Sequence, residues 1–173
     1  MEKVIKYNLD VQLNEKLPLL PVLHDYNVDE IKVENGKIIL TTSDFGNLLN
    51  CDGSEDNYAY VAGFAPKKAV VELCVCDNWY LDDLSDCEFL VSRFYGRKQF
   101  KEKNRLKCGG KRTNCYKIND FIKIYKDYRL QFGYVSVGYH WVNFIFSCNN
   151  SSMRYVDIEL PLYCKEVVYT FSD

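Results

Sequence analysis

The chain has 173 residues, enough for one domain, and its 22 basic and 24 acidic residues leave a net charge of −2. Its 47% hydrophobic and 15% aromatic content excludes general disorder and favours a sheet-rich fold. The first residues alternate in polarity without a basic-then-apolar leader, and no run of 18 apolar residues occurs. The sequence therefore predicts a cytoplasmic protein with no membrane segment.

The N-terminal third predicts a strand followed by a hairpin. Apolar and polar side chains alternate over 5–13, which is typical of an extended chain with two different faces. Further on, Asn35-Gly36 favours a two-residue type I′ turn, because both positions need positive φ. That turn places Val33 opposite Ile38 and predicts a hairpin with one apolar face. The other face carries a charge pair, Glu34 with Lys37, at the end nearest the turn.

The middle of the chain predicts strands near 58–63, 69–76 and 87–95, separated by loop-rich stretches. Residues 96–117 are basic and show no clear strand or helix period. One short helix follows at 118–128 and packs on the sheet through an apolar stripe. The stripe consists of Ile118, Phe121, Ile122 and Tyr125. Asn119 or Asp120 is the expected N-cap.

The C-terminal third predicts four more strands, of which 154–162 and 166–172 are expected to be separate. On the strand near 140–148, His140 is expected on the apolar face with Val142. Eight or more strands at hairpin spacing with one helix predict a mainly β fold of the α+β class. We expect an antiparallel β-sandwich or partly open barrel, with 1–173 forming a single domain.

The charge distribution is uneven along the chain. Between Arg93 and Arg112 there are nine basic residues and one acidic residue, so the remainder carries a net charge of −10. Basic residues interleaved with aromatic ones can pair phosphates and stack bases. One hypothesis is therefore a nucleic-acid-binding segment at 93–116, with candidate contacts Tyr95, Arg97, Lys98, Lys101, Lys103, Arg105 and Tyr116.

A second interpretation treats about 93–117 as a solvated hairpin or loop insert that is neutralised by the acidic remainder of the protein. The sequence pI of 5.8 favours this interpretation over dedicated nucleic-acid binding. If it is correct, binding to random single-stranded nucleic acid is expected to be undetectable at physiological salt.

Catalytic and metal signatures are weak. The eight cysteines are expected to be reduced, and the C-x6-C spacing of Cys108 and Cys115 is not that of a zinc site. His24 and His140 are the only histidines, so few residues are available for triad chemistry. No phosphate-binding glycine loop occurs. The sequence predicts no catalytic residue, no metal and no cofactor.

The stretch LHDYNVDEIKVENGKIIL resembles the opening of several small bacterial families, in which a Leu-His-Asp element leads into a charged hairpin. The later order of INDFIKIYKDY, LQFGYVSVG and YVDIELPLYCKEVVYTF is also similar, so the resemblance covers about the first 40 and last 60 residues. Some of these families are immunity proteins, non-catalytic inhibitors of a cognate toxin. The resemblance implies a binding role for His24 and Asp25. The basic section has no counterpart in it.

The expected function is therefore a non-catalytic protein-binding module, of immunity type if the resemblance holds, which occludes the surface of a partner protein. The alternative is a nucleic-acid-binding domain that uses 93–116, and the third possibility is an enzyme of unknown class. An exposed apolar and aromatic patch would favour the first, and convergence of the basic residues on one face would favour the second.

Overall fold

The structure is a computed structural model. It describes residues 2–12, 15–18, 20–21, 23–24, 26–43, 66–75, 84, 87–95, 110–150 and 153–173. Nine strands and one helix lie within these ranges. In chain order they are β1 (Glu2–Asn8), β2 (Asn27–Glu34), β3 (Lys37–Ser43), β4 (Lys68–Val75), β5 (Glu88–Tyr95), β6 (Gly110–Lys117), α1 (Ile118–Tyr125), β7 (Arg129–Gly138), β8 (Trp141–Asn150) and β9 (Met153–Ser172).

The long strand β9 organises the sheet, because it pairs with four other strands. Strands β8 and β1 lie end to end along one edge of β9. The Leu9 amide donates to the Lys165 carbonyl, and the His140 amide donates to the Leu9 carbonyl, which joins the two strands. Strands β5 and β4 occupy the opposite edge, β5 opposite Val156–Glu159 and β4 opposite Cys164–Ser172.

The remaining pairings close an antiparallel circuit of six strands, β9-β8-β7-β2-β3-β4 and back to β9. The weakest step is between β2 and β7, which share only the pairs Asn27 with Gln131 and Val28 with Leu130. A β-bulge lies beside this junction in each strand, after Val28 in β2 and after Phe132 in β7. Bulges increase local twist, which lets the sheet curl towards closure. The mainly β, antiparallel fold predicted from the sequence is confirmed.

The core fills the inside of this circuit and the space under the β5–β6 hairpin. Alternate residues of each strand point inward, as the period of two requires. Helix α1 covers the hairpin, and the ring of Phe121 stacks on Phe89 with centroids 3.8 Å apart. Among the described residues no helix has the length and apolar character needed to cross a bilayer. The largest fully buried side chains include Tyr26, Phe89, Phe121, Phe144, Phe146, Tyr169 and Phe171.

The β2–β3 hairpin has the predicted turn and register. Asn35 and Gly36 have φ values of 51° and 74°, which makes the turn type I′. Val33 pairs with Ile38, as predicted. Lys37 lies opposite Glu34 in the register, but its ammonium bonds the Glu72 carboxylate of β4 at 2.6 Å. Lys37 therefore pairs with Glu72 of the neighbouring strand β4 and not with Glu34 of its own hairpin.

Replacing Gly36 with valine is expected to destabilise the protein by about 1–2 kcal/mol, because a β-branched residue is strained at positive φ. A Cβ atom built on Gly36 meets no atom within 4 Å, so the cost comes from the backbone and not from a steric clash. Gly36→Asn is the control, since asparagine tolerates this conformation. Urea unfolding should show valine clearly less stable than asparagine, and equal stability of the two would contradict the turn argument.

Part of the basic stretch forms strand β6, which pairs with β5 along its length. Two features differ from the sequence-based expectations. The two closing strands are one strand, β9, which continues through Pro161 because partners flank both of its halves. Helix α1 begins at Ile118, and neither expected residue caps it. Lys117 is the N-cap without a side-chain bond, and the Ile118 amide donates to the Cys87 carbonyl.

Candidate functional site

Most of the residues predicted to contact nucleic acid fall in ranges that the structure does not describe. Tyr95 is described only in its backbone, which ends β5 opposite Gly110. The residues outside the described ranges are Arg97, Lys98, Lys101, Lys103 and Arg105. Whether the basic residues converge on one face therefore stays a prediction.

Tyr116 is the one predicted contact whose side chain is described within β6. It is partly buried against the core, and its ring meets that of Tyr125 edge-on with centroids 6.0 Å apart. Burial raises the pKa of the Tyr125 hydroxyl, and the nearby Arg93 guanidinium opposes this rise only in part. Tyr116 and Arg93 thus help to pack helix α1 against the hairpin.

The two histidines lie apart in the sequence and have different settings. His24 is exposed and its ring contacts that of Tyr134, with centroids 5.6 Å apart, whereas Asp25 lies outside the described residues. The sequence predicted His140 on the apolar face of the strand, and this prediction is wrong. His140 occupies the β7–β8 turn with a φ of 56°, and its Nδ1 lies 3.3 Å from the Asp10 carboxylate.

Two of the described cysteines, Cys74 and Cys148, are buried thiols with raised pKa values. Burial raises the pKa of Cys148, and it also raises that of Cys74, where the nearby Lys37 opposes it only in part. A thiol with a raised pKa is mostly protonated at neutral pH and is a weak nucleophile. Within the described ranges no three metal-ligating side chains come together.

The most distinctive surface is the outer face of strands β7, β8 and β9, named the aromatic face. The strand register places nine side-chain positions on it in three cross-strand rows, since directly paired residues share a face. The rows are Tyr134 with Ile145 and Glu159, then Ser136 with Asn143 and Pro161, and then Gly138 with Trp141 and Tyr163.

Two tyrosines stand at opposite corners of the aromatic face, about 16 Å apart by strand geometry. Tyr134 is 61% exposed and Tyr163 is 51% exposed, and both are among the most exposed large hydrophobic residues described. Trp141 is partly buried, and a Cβ built on Gly138 would lie 3.3 Å from its ring. Gly138 therefore lets the indole lie close over the β7 backbone. His24 extends the aromatic surface beyond Tyr134.

A buried polar side chain lies at the centre of the aromatic face. Asn143 is only 8% exposed, and its Nδ2 donates to the Glu159 carboxylate at 3.2 Å. This bond identifies which amide atom is the oxygen. The Oδ1 atom is buried and has no hydrogen-bond partner. Such an unpaired acceptor is unusual for a buried polar atom, because it costs about 1–3 kcal/mol.

One of the nine positions of the aromatic face, Glu159, is acidic, and Asp157 lies one row beyond them on β9. Glu159 lies between Ile145 and Leu90 in the cross-strand register, and Asp157 lies between Ser147 and Ser92. All four flanking side chains are uncharged. Among the described residues, Asp157 forms no ion pair. The aromatic face therefore combines exposed rings with one carboxylate and an unpaired acceptor.

The sequence did contain a signal for this surface. In the sequence of β8, one parity holds Val142, Phe144 and Phe146, and the other parity holds Trp141 and Ile145. Apolar residues on both faces of one strand indicate a second contact surface. Which residues of β7 and β9 join them depends on register, and the bulge after Phe132 changes the parity of β7.

The aromatic face, centred on Asn143 and bounded by Tyr134 and Tyr163, is thus the candidate site that the described residues support best. It presents exposed aromatic rings, a buried amide and a carboxylate. Comparison of the chain with protein-family models, with curated proteins and with solved structures finds no match.

Proposed function

We propose that the chain is a non-catalytic protein-binding module that docks a partner protein on the aromatic face. The observation that carries the proposal is the exposure of Tyr134 and Tyr163 on either side of a central Asn143. Tyrosine and tryptophan are enriched where proteins meet, because they bury a large area at small entropic cost and offer a polar group. A sheet face presents these rings on a rigid support.

The settings of the described nucleophiles support a binding role over catalysis. Cys74 and Cys148 have raised pKa values, and the two are buried. His140 lies in the β7–β8 turn, and its Nδ1 lies 3.3 Å from the Asp10 carboxylate. A catalytic site usually gathers perturbed titratable groups in a cleft. The aromatic face instead offers the contacts of an interface.

The resemblance to immunity proteins suggests the class of partner. A cognate toxin bound on the aromatic face would have part of its own surface occluded, which inhibits it without chemistry. Toxin and immunity genes are usually neighbours, so the products of the flanking genes are the first proteins to test. His24, at the border of the aromatic face beside Tyr134, would contribute to the same interface.

The test is binding of the purified flanking gene products to three proteins: the wild type, a Tyr134→Ala/Tyr163→Ala variant and an Ile124→Ala control. Removal of interface tyrosines typically costs about 2 kcal/mol or more, or about 30-fold in affinity. Ile124 is 47% exposed on helix α1 and provides an exposed apolar residue outside the aromatic face. Isothermal calorimetry should show the loss for the tyrosine variant alone.

Equal affinity of all three proteins for a bound partner would contradict docking on the aromatic face. If no flanking product binds, partners captured from a cell extract on wild type and on Ile124→Ala, but not on the tyrosine variant, would be purified and measured in the same way. Absence of any such protein would contradict the proposed function.

The nucleic-acid alternative has its own test in the salt dependence of binding. Each phosphate contact adds about 0.7 to the slope of log affinity against log salt for single strands. We expect no detectable binding to a random single strand at physiological salt. A slope of about −3 or steeper would promote the alternative. It would also have to disappear on neutral substitution of Lys101, Lys103 and Arg105.

A further inference from the structure

We propose that the chain forms a two-fold dimer in which strand β1 pairs antiparallel with β1 of a second copy. The pairing is centred on Val4 and joins the sheets of the two copies into one. This interface is separate from the aromatic face, which lies on the outer side of β7, β8 and β9. Three observations support it: the edge position of β1, the exposure of Val4 and the order of the charges around Val4.

Strand β1 is an edge strand within the described part of the chain, where it pairs with β9 alone. In an antiparallel pair, every second residue exchanges both backbone hydrogen bonds with its partner. The Leu9 amide donates to the Lys165 carbonyl, which continues the β1–β9 register and assigns these bonds to the odd-numbered residues of β1. The backbone groups of Glu2, Val4 and Lys6 therefore point to the opposite edge, where no described residue bonds them. Such an edge can accept another strand.

Val4 is one of the most exposed large hydrophobic residues in the described part of the chain, at 54%. Its neighbours on the same face of β1, Glu2 and Lys6, are exposed as well. A pairing centred on Val4 places this side chain directly opposite its counterpart in the second copy. Side chains in directly opposite positions contact each other across a strand pair. The contact would therefore remove apolar surface of both copies from water, which favours association.

The charges on either side of Val4 favour a second copy as the occupant of this edge. A two-fold axis at Val4 places Glu2 of one copy directly opposite Lys6 of the other, and it does so twice. Opposite charges in such positions attract, although lysine on an edge strand usually discourages pairing. Neither Glu2 nor Lys6 forms an ion pair within the described part of the chain. Both charges can therefore pair between copies.

Other arrangements lack this charge match. A pairing centred on Ile5 would place Lys6 opposite Val4 and Glu2 opposite Asn8, so no opposite charges would meet. Strand β6, which ends the described sheet, has the sequence GKRTNCYK with basic residues and no acidic one. Two copies of β6 would therefore repel each other. A two-fold interface must be self-complementary, because the same patch meets itself, and β1 meets this requirement.

Sedimentation velocity of the whole chain tests the dimer, at concentrations up to about 0.5 mM because small interfaces associate weakly. For the wild type we expect a species of twice the 20.3 kDa chain mass. Glu2→Lys or Lys6→Glu alone should weaken self-association by about tenfold or more, since two attractive pairs in each dimer become repulsive. The double variant Glu2→Lys/Lys6→Glu restores opposite charges and should dimerise like the wild type. Circular dichroism confirms that each variant is folded.

Disulfide formation tests the register of the pairing. Opposite residues that exchange backbone hydrogen bonds have Cα atoms about 5.5 Å apart, which a disulfide can span. Val4→Cys should therefore form a covalent dimer on mild oxidation. Lys6→Cys is the matched control, because it is exposed on the same face but lies about 14 Å from its counterpart in this register. The wild type measures the background from native thiols such as the exposed Cys115.

Three results would overturn the β1 dimer. They are a wild type that stays monomeric at every concentration, a folded double variant that fails to recover self-association, and equal cross-linking of the two cysteine variants. The Tyr134→Ala/Tyr163→Ala variant should dimerise like the wild type, because those tyrosines lie on the aromatic face. Loss of the dimer in that variant would place the contact between copies on the aromatic face and would also contradict pairing through β1.

Discussion

Replacing Phe89 with alanine is expected to lower the free energy of unfolding by about 3–5 kcal/mol, because a large aromatic side chain is lost from the core. The ring is fully buried and stacks on Phe121 with the planes 9° apart. It also lies 6.3 Å from the ring of Phe146 on β8, centroid to centroid. Truncation would leave a cavity between helix α1 and the sheet, and these rigid elements can collapse into it only in part.

Urea unfolding followed by circular dichroism measures this loss. The control is Ile124→Ala on the exposed side of the same helix, which should change stability by less than about 1 kcal/mol. If Phe89→Ala cost no more than the control, helix α1 would not depend on the sheet for its stability. An eight-residue helix is marginal in water by itself, so we expect it to unfold with the rest of the domain.

Alkaline pH is expected to destabilise the protein, and Tyr169 is expected to be a principal cause. Burial raises the pKa of its hydroxyl well above 10, and that hydroxyl donates to the Pro21 carbonyl at 3.3 Å. A folded-state pKa raised above the unfolded value contributes stability that is fully present below pH 10. This stability is lost as pH rises above 10 towards the folded-state pKa, because the unfolded chain ionises first.

The expected loss for one such tyrosine is up to about 1.4 kcal/mol for each pH unit above 10. Tyr169→Phe should lower stability by about 1 kcal/mol at pH 8, through the lost hydrogen bond, yet show a shallower decline above pH 10. Tyr7 and Tyr125 also have pKa values raised by burial, and Lys37 has one raised by Glu72. All three act in the same direction, so the decline should be reduced and not abolished.

Unfolding by urea at several values between pH 8 and pH 11 provides the comparison. Phe171→Leu is the matched control, because Phe171 is equally buried and its ring lies 5.7 Å from that of Tyr169 but carries no hydroxyl. It should lower stability by a similar amount at every pH. A decline of unchanged steepness in Tyr169→Phe would show that this hydroxyl ionises as easily in the folded protein as in the unfolded chain.

Features that depend on neighbouring residues could be predicted from the sequence. The register of the β2–β3 hairpin follows from Asn35 and Gly36, because only certain residues adopt positive φ in a two-residue turn. The buried stripe of α1 follows from the spacing of Ile118, Phe121 and Tyr125. Both are correct because backbone sterics and helix periodicity act over a few residues.

Features that depend on distant partners could not be predicted in the same way. His140 follows the alternation of its strand in the sequence, yet it lies in the turn, because pairing of β7 with β8 begins at Gly138 and Trp141. The aromatic face likewise depends on the bulge in β7 and on the register of β9. A shift of one residue in either strand would turn Tyr134 or Tyr163 towards the core.

By itself, the sequence determined the class of fold, the antiparallel hairpins and the short packed helix, because alternation, turn residues and helical spacing are local. Only the tertiary structure decided that β9 is one strand that pairs with four others. Its pairing with β1 places Glu2 opposite Ser172, although the two residues are far apart in the sequence. The tertiary structure likewise decided that Tyr134, Asn143 and Tyr163 share one surface. Strand order and register depend on long-range pairing, whose free energy comes from burial that no local pattern records.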